Sequence, residues 1–168
     1  DEDMRTFAVD LIKRSAKTAS ARLQFCRLAF GAAGSAGAAI DTGDAEKVVR
    51  GLMEDDKTKV TWQAPRVLMP KNKVKLVLNL CLIAQAAIPR GGEICVSMIG
   101  DDGALLRVEA KGANAKLAHH VPALVAATPE NGTVDAHGIQ PFYTGLVARE
   151  SGMGVNINVS ADQVTIVA

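Results

Sequence analysis

The sequence predicts an α+β protein, one long N-terminal helix followed by a sandwich of helices on a mainly antiparallel or mixed sheet. Three observations predict it. Apolar residues recur at three- and four-residue steps from Met4 to Phe30 without a Gly or Pro. Beyond them, segments of helical period alternate with short period-two runs. Two pairs of those runs flank turn sequences, Gly100-Asp101-Asp102-Gly103 and Ser160-Ala161-Asp162-Gln163.

The first helix is expected over residues 3–30. Its stripe is Met4, Phe7, Ala8, Leu11, Ile12, Ala16, Ala19, Leu23, Cys26 and Phe30. The opposite face carries Arg5, Asp10, Lys13, Arg14, Lys17 and Arg22. At 1.5 Å per residue it is roughly 40 Å long. So long an apolar stripe needs something to pack on, and the remaining chain is too compact to cover it. A helical partner is therefore expected, from another chain or from sequence upstream. The Gly-rich stretch Gly31 to Gly37 ends the helix and reads as a hinge. The boundary is placed there, giving a helical unit 1–31 and an α/β unit 32–168.

In the second unit Ala39-Ile40 suits a short strand. Asp41 or Thr42 caps a helix to about Met53, with Asp44 and Glu46 near its positive end. Residues 58–63 alternate as a strand. Pro70 opens a helix to about Ala87 that is apolar nearly all round in its second half, and so buried. Pro89-Arg90-Gly91-Gly92 is a turn. Strands follow at 93–99 and 105–111. A third helix is expected at 139–151, and a last hairpin joins 155–159 to 164–167.

Composition narrows the function. The chain has 168 residues, 48% hydrophobic and 22% charged, the balance of a folded domain. Lys and Arg total 19 against 18 Asp and Glu, a net charge of +1 that argues against bulk nucleic acid as partner. Aromatics are only 4%, too few for base-stacking platforms. No apolar run spans a bilayer, and Asp1-Glu2-Asp3 is the opposite of a signal peptide, so a cytoplasmic protein is expected. The acidic start without Met suggests that residue 1 is not the start of the gene product. Cys26, Cys81 and Cys95 are far apart among apolar neighbours and read as buried, reduced thiols, with no metal site. His119, His120 and His137 read as loop or cap residues; a phosphoryl acceptor or a metal ligand are the other readings. Lys71, Lys73 and Lys75 read as a solvated face, with a phosphate or acidic-partner contact second.

One stretch carries more. Leu78-Asn79-Leu80-Cys81-Leu82-Ile83-Ala84, then Ile88-Pro89-Arg90-Gly91-Gly92 before a strand, resembles the N-box of sensor histidine kinases, L-x-N-L-x-x-N-A followed by T-P-x-G-G. Val108 to Asn114 falls where those kinases carry a D-x-G-x-G box, and Gly138 to Gly152 where they carry a Gly-rich loop opening a helix. The resemblance implies a nucleotide-binding fold of the Bergerat type, and the departures imply that it is degenerate. Ile83 stands where an Asn ligates the magnesium of ATP, and it has no ligand atom. Ala110 stands for the Asp that bonds the adenine amino group, with Gly112 two residues on. One such lost contact costs roughly 1.5–3 kcal/mol, about ten- to a hundredfold in affinity. Gly138-Ile139-Gln140-Pro141-Phe142 is too bulky to wrap phosphates closely.

A long helix before an ATP-incompetent kinase-like domain resembles the ChpT-type histidine phosphotransferases. The likeness covers essentially the whole chain and is strongest at Asp3-Met4-Arg5, Leu23-Gln24-Phe25, residues 27–32, Trp62-Gln63 and residues 139–143. It implies a helical hairpin that dimerises into a four-helix bundle with a degenerate catalytic domain attached. It further implies a phosphoryl shuttle from the receiver domain of a hybrid histidine kinase to response regulators. No cofactor of its own is implied, and magnesium comes with the partner receiver. The family's acceptor stands in a His-Asp dipeptide on the first hairpin helix. This chain contains no His-Asp pair, so no catalytic residue is assigned within it and the acceptor is expected upstream. Arg22, Gln24, Phe25 and Arg27 lie toward the end of the long helix that would face it. They are candidates for docking a receiver, the alternative being Phe25 as bundle core and the arginines as solvated surface. A regulator-sequestering binding module is the second function reading. An active kinase or ATPase is third, disfavoured by Ile83 and Ala110.

Overall fold

Helix α1, Glu2–Ala29, opens the chain. Glu2 and Asp3 sit at its positive end and Arg27 in its last turn, both matching the helix dipole. This computed structural model describes residues 2–31, 38–100, 104–129 and 132–168. Most of the hinge stretch (32–37) and the centre of the expected turn at Gly100 (101–103) lie outside the described residues.

The stripe expected on α1 is uncovered: Met4, Phe7, Leu11, Ile12 and Leu23 are each more than half exposed. A different set meets the rest of the chain. Phe25 and Ala29 are buried at 1% and 0% exposure, with Leu28 packed beside them, against the helices Thr42–Met53 and Lys71–Ala87. The reading of Phe25 as an exposed docking residue or as bundle core is therefore corrected. It fills the core of the chain's own α/β unit, beside a groove that Cys26 and Phe30 also line. The last turns of α1 are thus part of that core.

Strand β1, Ala39–Asp41, pairs antiparallel with β3, Leu68–Pro70. Between them run helix α2, Thr42–Met53, and strand β2, Thr58–Gln63. Asp41 caps α2 by accepting from the Gly43 amide at 2.7 Å. That bond and the Arg66 guanidinium at 3.0 Å hold the Asp41 carboxyl below its ordinary pKa. Helix α3, Lys71–Ala87, is central and buries ten of its 17 residues. Strands β4, Gly92–Ile99, and β5, Leu105–Lys111, follow. Then come a short helix α4, Val121–Val125, helix α5, Ile139–Glu150, and strands β6, Asn156–Ser160, and β7, Gln163–Val167.

The main sheet has the order β2-β4-β5-β7-β6, with β2 parallel to β4 and every other pair antiparallel. Period-two alternation sends Ile94, Val96 and Met98 of β4, and Leu106, Val108 and Ala110 of β5, into the core. Helix α3 lies across β4, β5 and β7, with α5 and α2 packed on it. The other sheet face is polar. There Glu93 accepts from Thr61, and Glu109 accepts from Arg107 and Gln163. Two elements went unexpected: β3 and α4, which begins at Val121 directly after the turn that holds His119 and His120.

The cysteine reading holds for Cys81 alone. Cys95 is half-buried on the polar sheet face, and Cys26 is exposed because it belongs to the uncovered stripe. Among the described residues no helix is long and apolar enough to cross a membrane, and no group of three His, Cys, Asp or Glu is placed to hold a metal.

Candidate functional site

The kinase-like motifs converge where α3, the segment after β5 and the first turn of α5 meet. Asn79 and Ile83 lie one turn apart on α3. Asn79 is fully buried and joins three helices. Its Nδ2 donates to the Lys75 carbonyl within α3 at 2.9 Å and to the Ala29 carbonyl of α1 at 3.2 Å. Its Oδ1 and main-chain oxygen each accept from Gln140 Nε2 of α5 at 3.1 Å. Gln140 also donates to Thr144 Oγ1 at 3.0 Å. Sequence reasoning quoted Asn79 as a motif letter and missed this work. The signal was present, since a carboxamide inside an otherwise apolar helix run must find partners.

Ile83 is 3% exposed and belongs to the core cluster, so this position offers alkyl surface and no donor or acceptor. Ala110 is fully buried on β5, between Ile94 of β4 and Val164 of β7. Gly112 keeps a purely steric role. A Cβ there would stand 2.6 Å from the Gly91 carbonyl oxygen and 2.9 Å from Ile88 Cγ2. The segment beyond it is tied to the end of α3 by the Lys116 amide donating to the Ala87 carbonyl at 3.0 Å. Gly138 begins α5, its amide donating to Asp135 Oδ1 at 2.7 Å. A cavity of about 200 Å³ remains among Ile83, Leu117, Val121 and Pro141. Sites for drug-sized ligands run roughly 300–1,000 Å³.

The second surface is α1 itself. Arg22, Gln24 and Arg27 are exposed, and Gln24 donates to Ser20 Oγ at 3.1 Å. A groove of about 970 Å³ runs between α1 and the end of α2. Arg14, Lys17 and Arg22 line it from α1; Glu54, Asp55 and Asp56 line it from the turn after α2. Asp55 is held below its ordinary pKa by the Lys57 and Thr58 amides, which donate to Oδ1 at 2.8 and 2.7 Å. The end of α1 is also fixed by Phe30, whose ring centre lies 5.6 Å from that of Tyr143. The structure thus brings Arg22 and Phe25 to one groove and leaves Gln24 and Arg27 outside its lining.

His119 is exposed, His120 half-buried, and their rings meet edge-on at 5.3 Å. His137 is exposed just before α5. None stands on α1.

Comparison with known proteins agrees with this geometry. The family model described as histidine phosphotransferase C-terminal domain matches residues 42–163. Protein phosphotransferase ChpT of Brucella abortus (strain 2308) is 46% identical across 100% of this chain and 79% of that protein. A solved bacterial phosphotransferase superposes with a TM-score of 0.86 at 43% identity, over 97% of this chain and 78% of that one. The histidine kinase domain of the Erythrobacter litoralis EL346 blue-light activated kinase matches with a TM-score of 0.54 at 16% identity, over 98% and 84%. That last likeness bears on the fold alone, a leading helix and then a sheet-and-helix domain of the histidine-kinase ATPase type.

Proposed function

The chain belongs to the histidine phosphotransferase family of two-component signalling, and on that premise we propose that it shuttles a phosphoryl group between receiver domains without binding ATP. The donor is the receiver of a hybrid histidine kinase and the acceptors are response regulators. The observation that carries the ATP-free reading is the cavity at the motif positions. Ile83 and Ala110 are core residues, and about 200 Å³ remains beside Ile83. Neither residue offers an oxygen or nitrogen to magnesium or adenine.

The reacting imidazole is proposed to lie outside these 168 residues, on a helix seated along the exposed stripe of α1. His119, His120 and His137 all stand in the α/β unit, away from that stripe. Two such hairpins pair as a homodimer. Taking the phosphoryl group from the donor receiver's Asp breaks a P–O bond and forms a P–N bond on the imidazole, and passing it to the acceptor Asp breaks that P–N bond and forms a P–O bond. The receiver supplies the carboxylate and the magnesium, so the shuttle's contribution is to position its imidazole in line. The protein works in the cytoplasm, where receivers are.

The test is to incubate the gene product with a receiver domain carrying labelled phosphate. Acid-labile label arriving on the protein supports the shuttle. Stable binding without transfer supports a sequestering module instead. Label taken from ATP, or calorimetry giving a low-micromolar dissociation constant for magnesium-ATP, overturns the ATP-free reading.

A further inference from the structure

The small cavity beside Ile83 differs in charge from four other concave surfaces of the described residues. Its wall is alkyl, formed by Ile83, Ala87, Leu117, Val121 and Pro141. Lys116, His120 and His137 complete the lining, and no Asp or Glu takes part. Elsewhere carboxylates are present. Asp44 and Glu46 line the hollow at the start of α2, and Asp135 lines the adjoining one, which His119 and His120 share. Glu54, Asp55 and Asp56 line the groove along α1, and Glu93 and Asp162 the shallow surface beside Gly112. Lys116 and His137 are exposed and His120 half-buried, so the ammonium and imidazole groups sit at the mouth over an apolar floor. The Gln140 amide, also in the lining, has its NH₂ committed to Asn79 and Thr144.

We propose that this cavity binds a small organic anion with a compact apolar body, of the size of a single ring or a short acyl chain. Size and polarity each set one part of the ligand. An apolar cavity of about 150 Å³ holds a benzene molecule. The roughly 200 Å³ here takes such a body with its head group at the mouth. The alkyl floor favours the body by burial, and it gives a free phosphate or a sugar hydroxyl no partner. The Lys116 ammonium and the imidazole N–H groups, with no carboxylate in the lining and the nearby Asp135 carboxylate engaged by the Gly138 amide, favour a carboxylate or phosphate monoester head. The site is independent of the receiver-docking face and does not rest on the shuttle reading.

The experiment is an amide-resolved NMR titration of the chain with benzoate and with phenyl phosphate. Benzyl alcohol serves as the neutral ring and inorganic phosphate as the bodiless anion. The expected result is saturable shifts at Ile83, Ala87, Leu117 and Val121 with sub-millimolar affinity for at least one aryl anion. Benzyl alcohol and inorganic phosphate should each bind at least about tenfold more weakly. Lys116 is a surface residue, so Lys116→Glu should fold normally and weaken the aryl anion by about tenfold or more. The proposal is overturned if neither aryl anion gives saturable shifts in this cavity. It is equally overturned if benzyl alcohol binds as tightly as the anions, or if Lys116→Glu leaves their affinity unchanged.

Discussion

Asn79→Leu tests the central structural claim, that one buried carboxamide holds α1 and α5 to α3. Leucine has the branched four-atom skeleton of asparagine but is bulkier, so no cavity is created and any overpacking at this fully buried site adds to the loss. What it removes is the bond to the Ala29 carbonyl and the acceptor for Gln140 Nε2. The Ala29 carbonyl is that of the last residue of α1, where the helix itself supplies no further donor, and the residue is fully buried. Gln140 keeps Thr144 and the Asn79 main-chain oxygen, so it is only partly orphaned. Each buried group left unsatisfied costs about 1–3 kcal/mol, and leucine regains part of this by burial. The net loss is about 2–4 kcal/mol against a total stability of about 5–15 kcal/mol. For a chain of this size that lowers Tm by about 4–16 °C. Urea and thermal unfolding followed by circular dichroism measure it. Gln140→Leu should cost less, and the double variant should fall short of additivity by more than about 0.5 kcal/mol, because both changes break one network. A Tm for Asn79→Leu within about 2 °C of the parent refutes the reasoning.

Three further outcomes follow from other parts of the fold. Gly112→Ala should lose about 1–3 kcal/mol of stability in urea, because the Cβ meets backbone at 2.6 Å; an unchanged midpoint refutes the close approach. Asp41 and Asp55 both titrate below the ordinary 3.8 in the folded chain, so each contributes stability above that pH and loses it as pH falls through its depressed folded value. Replacing both by Asn should flatten the acid limb of stability between about pH 5 and pH 2, and an identical slope sinks the assignment. In thiol labelling near pH 8, Cys26 should react at once. Cys81, buried and pushed up to about 12, should react only as the chain unfolds, so rapid labelling of Cys81 in folded protein contradicts the core described above.

The elements that carried a long periodic signal were legible. The helix ending near residue 30, the helix opened by Pro70 and the 58–63 strand all appear within a residue or two of the expected bounds. What escaped lacks a local signal. β3 has three residues and α4 five, shorter than any window in which a period shows itself. The parallel pairing of β2 with β4 is set by the crossover through α3, a tertiary fact that neither strand encodes alone. Phe25 escaped for a related reason. α1 carries two apolar faces, Leu23–Cys26–Phe30 and Ala21–Phe25–Ala29, and sequence alone does not say which one the chain covers itself. The larger stripe drew the eye, yet the smaller face is the one that docks.

At the motif positions the sequence names the residues that differ from the kinase pattern, and the structure shows where they lie. Ile83 could be read as a missing magnesium ligand. Its burial adds the other half, since burying an aliphatic side chain is worth about 1.5–3 kcal/mol. Ala110 lies between Ile94 and Val164 in the middle of the sheet, where a carboxylate would be desolvated without a partner. On the proposed ATP-free reading, the same two residues that offer a nucleotide no polar contact also stabilise the fold. Restoring a polar side chain at either place would cost stability before any ligand could return it. Asn79 shows the complementary case. Its carboxamide stands in the same motif and survives as a brace between three helices. Each retained polar residue has to be judged by what it bonds to now, and for Asn79 the partners are helix α1 and Gln140.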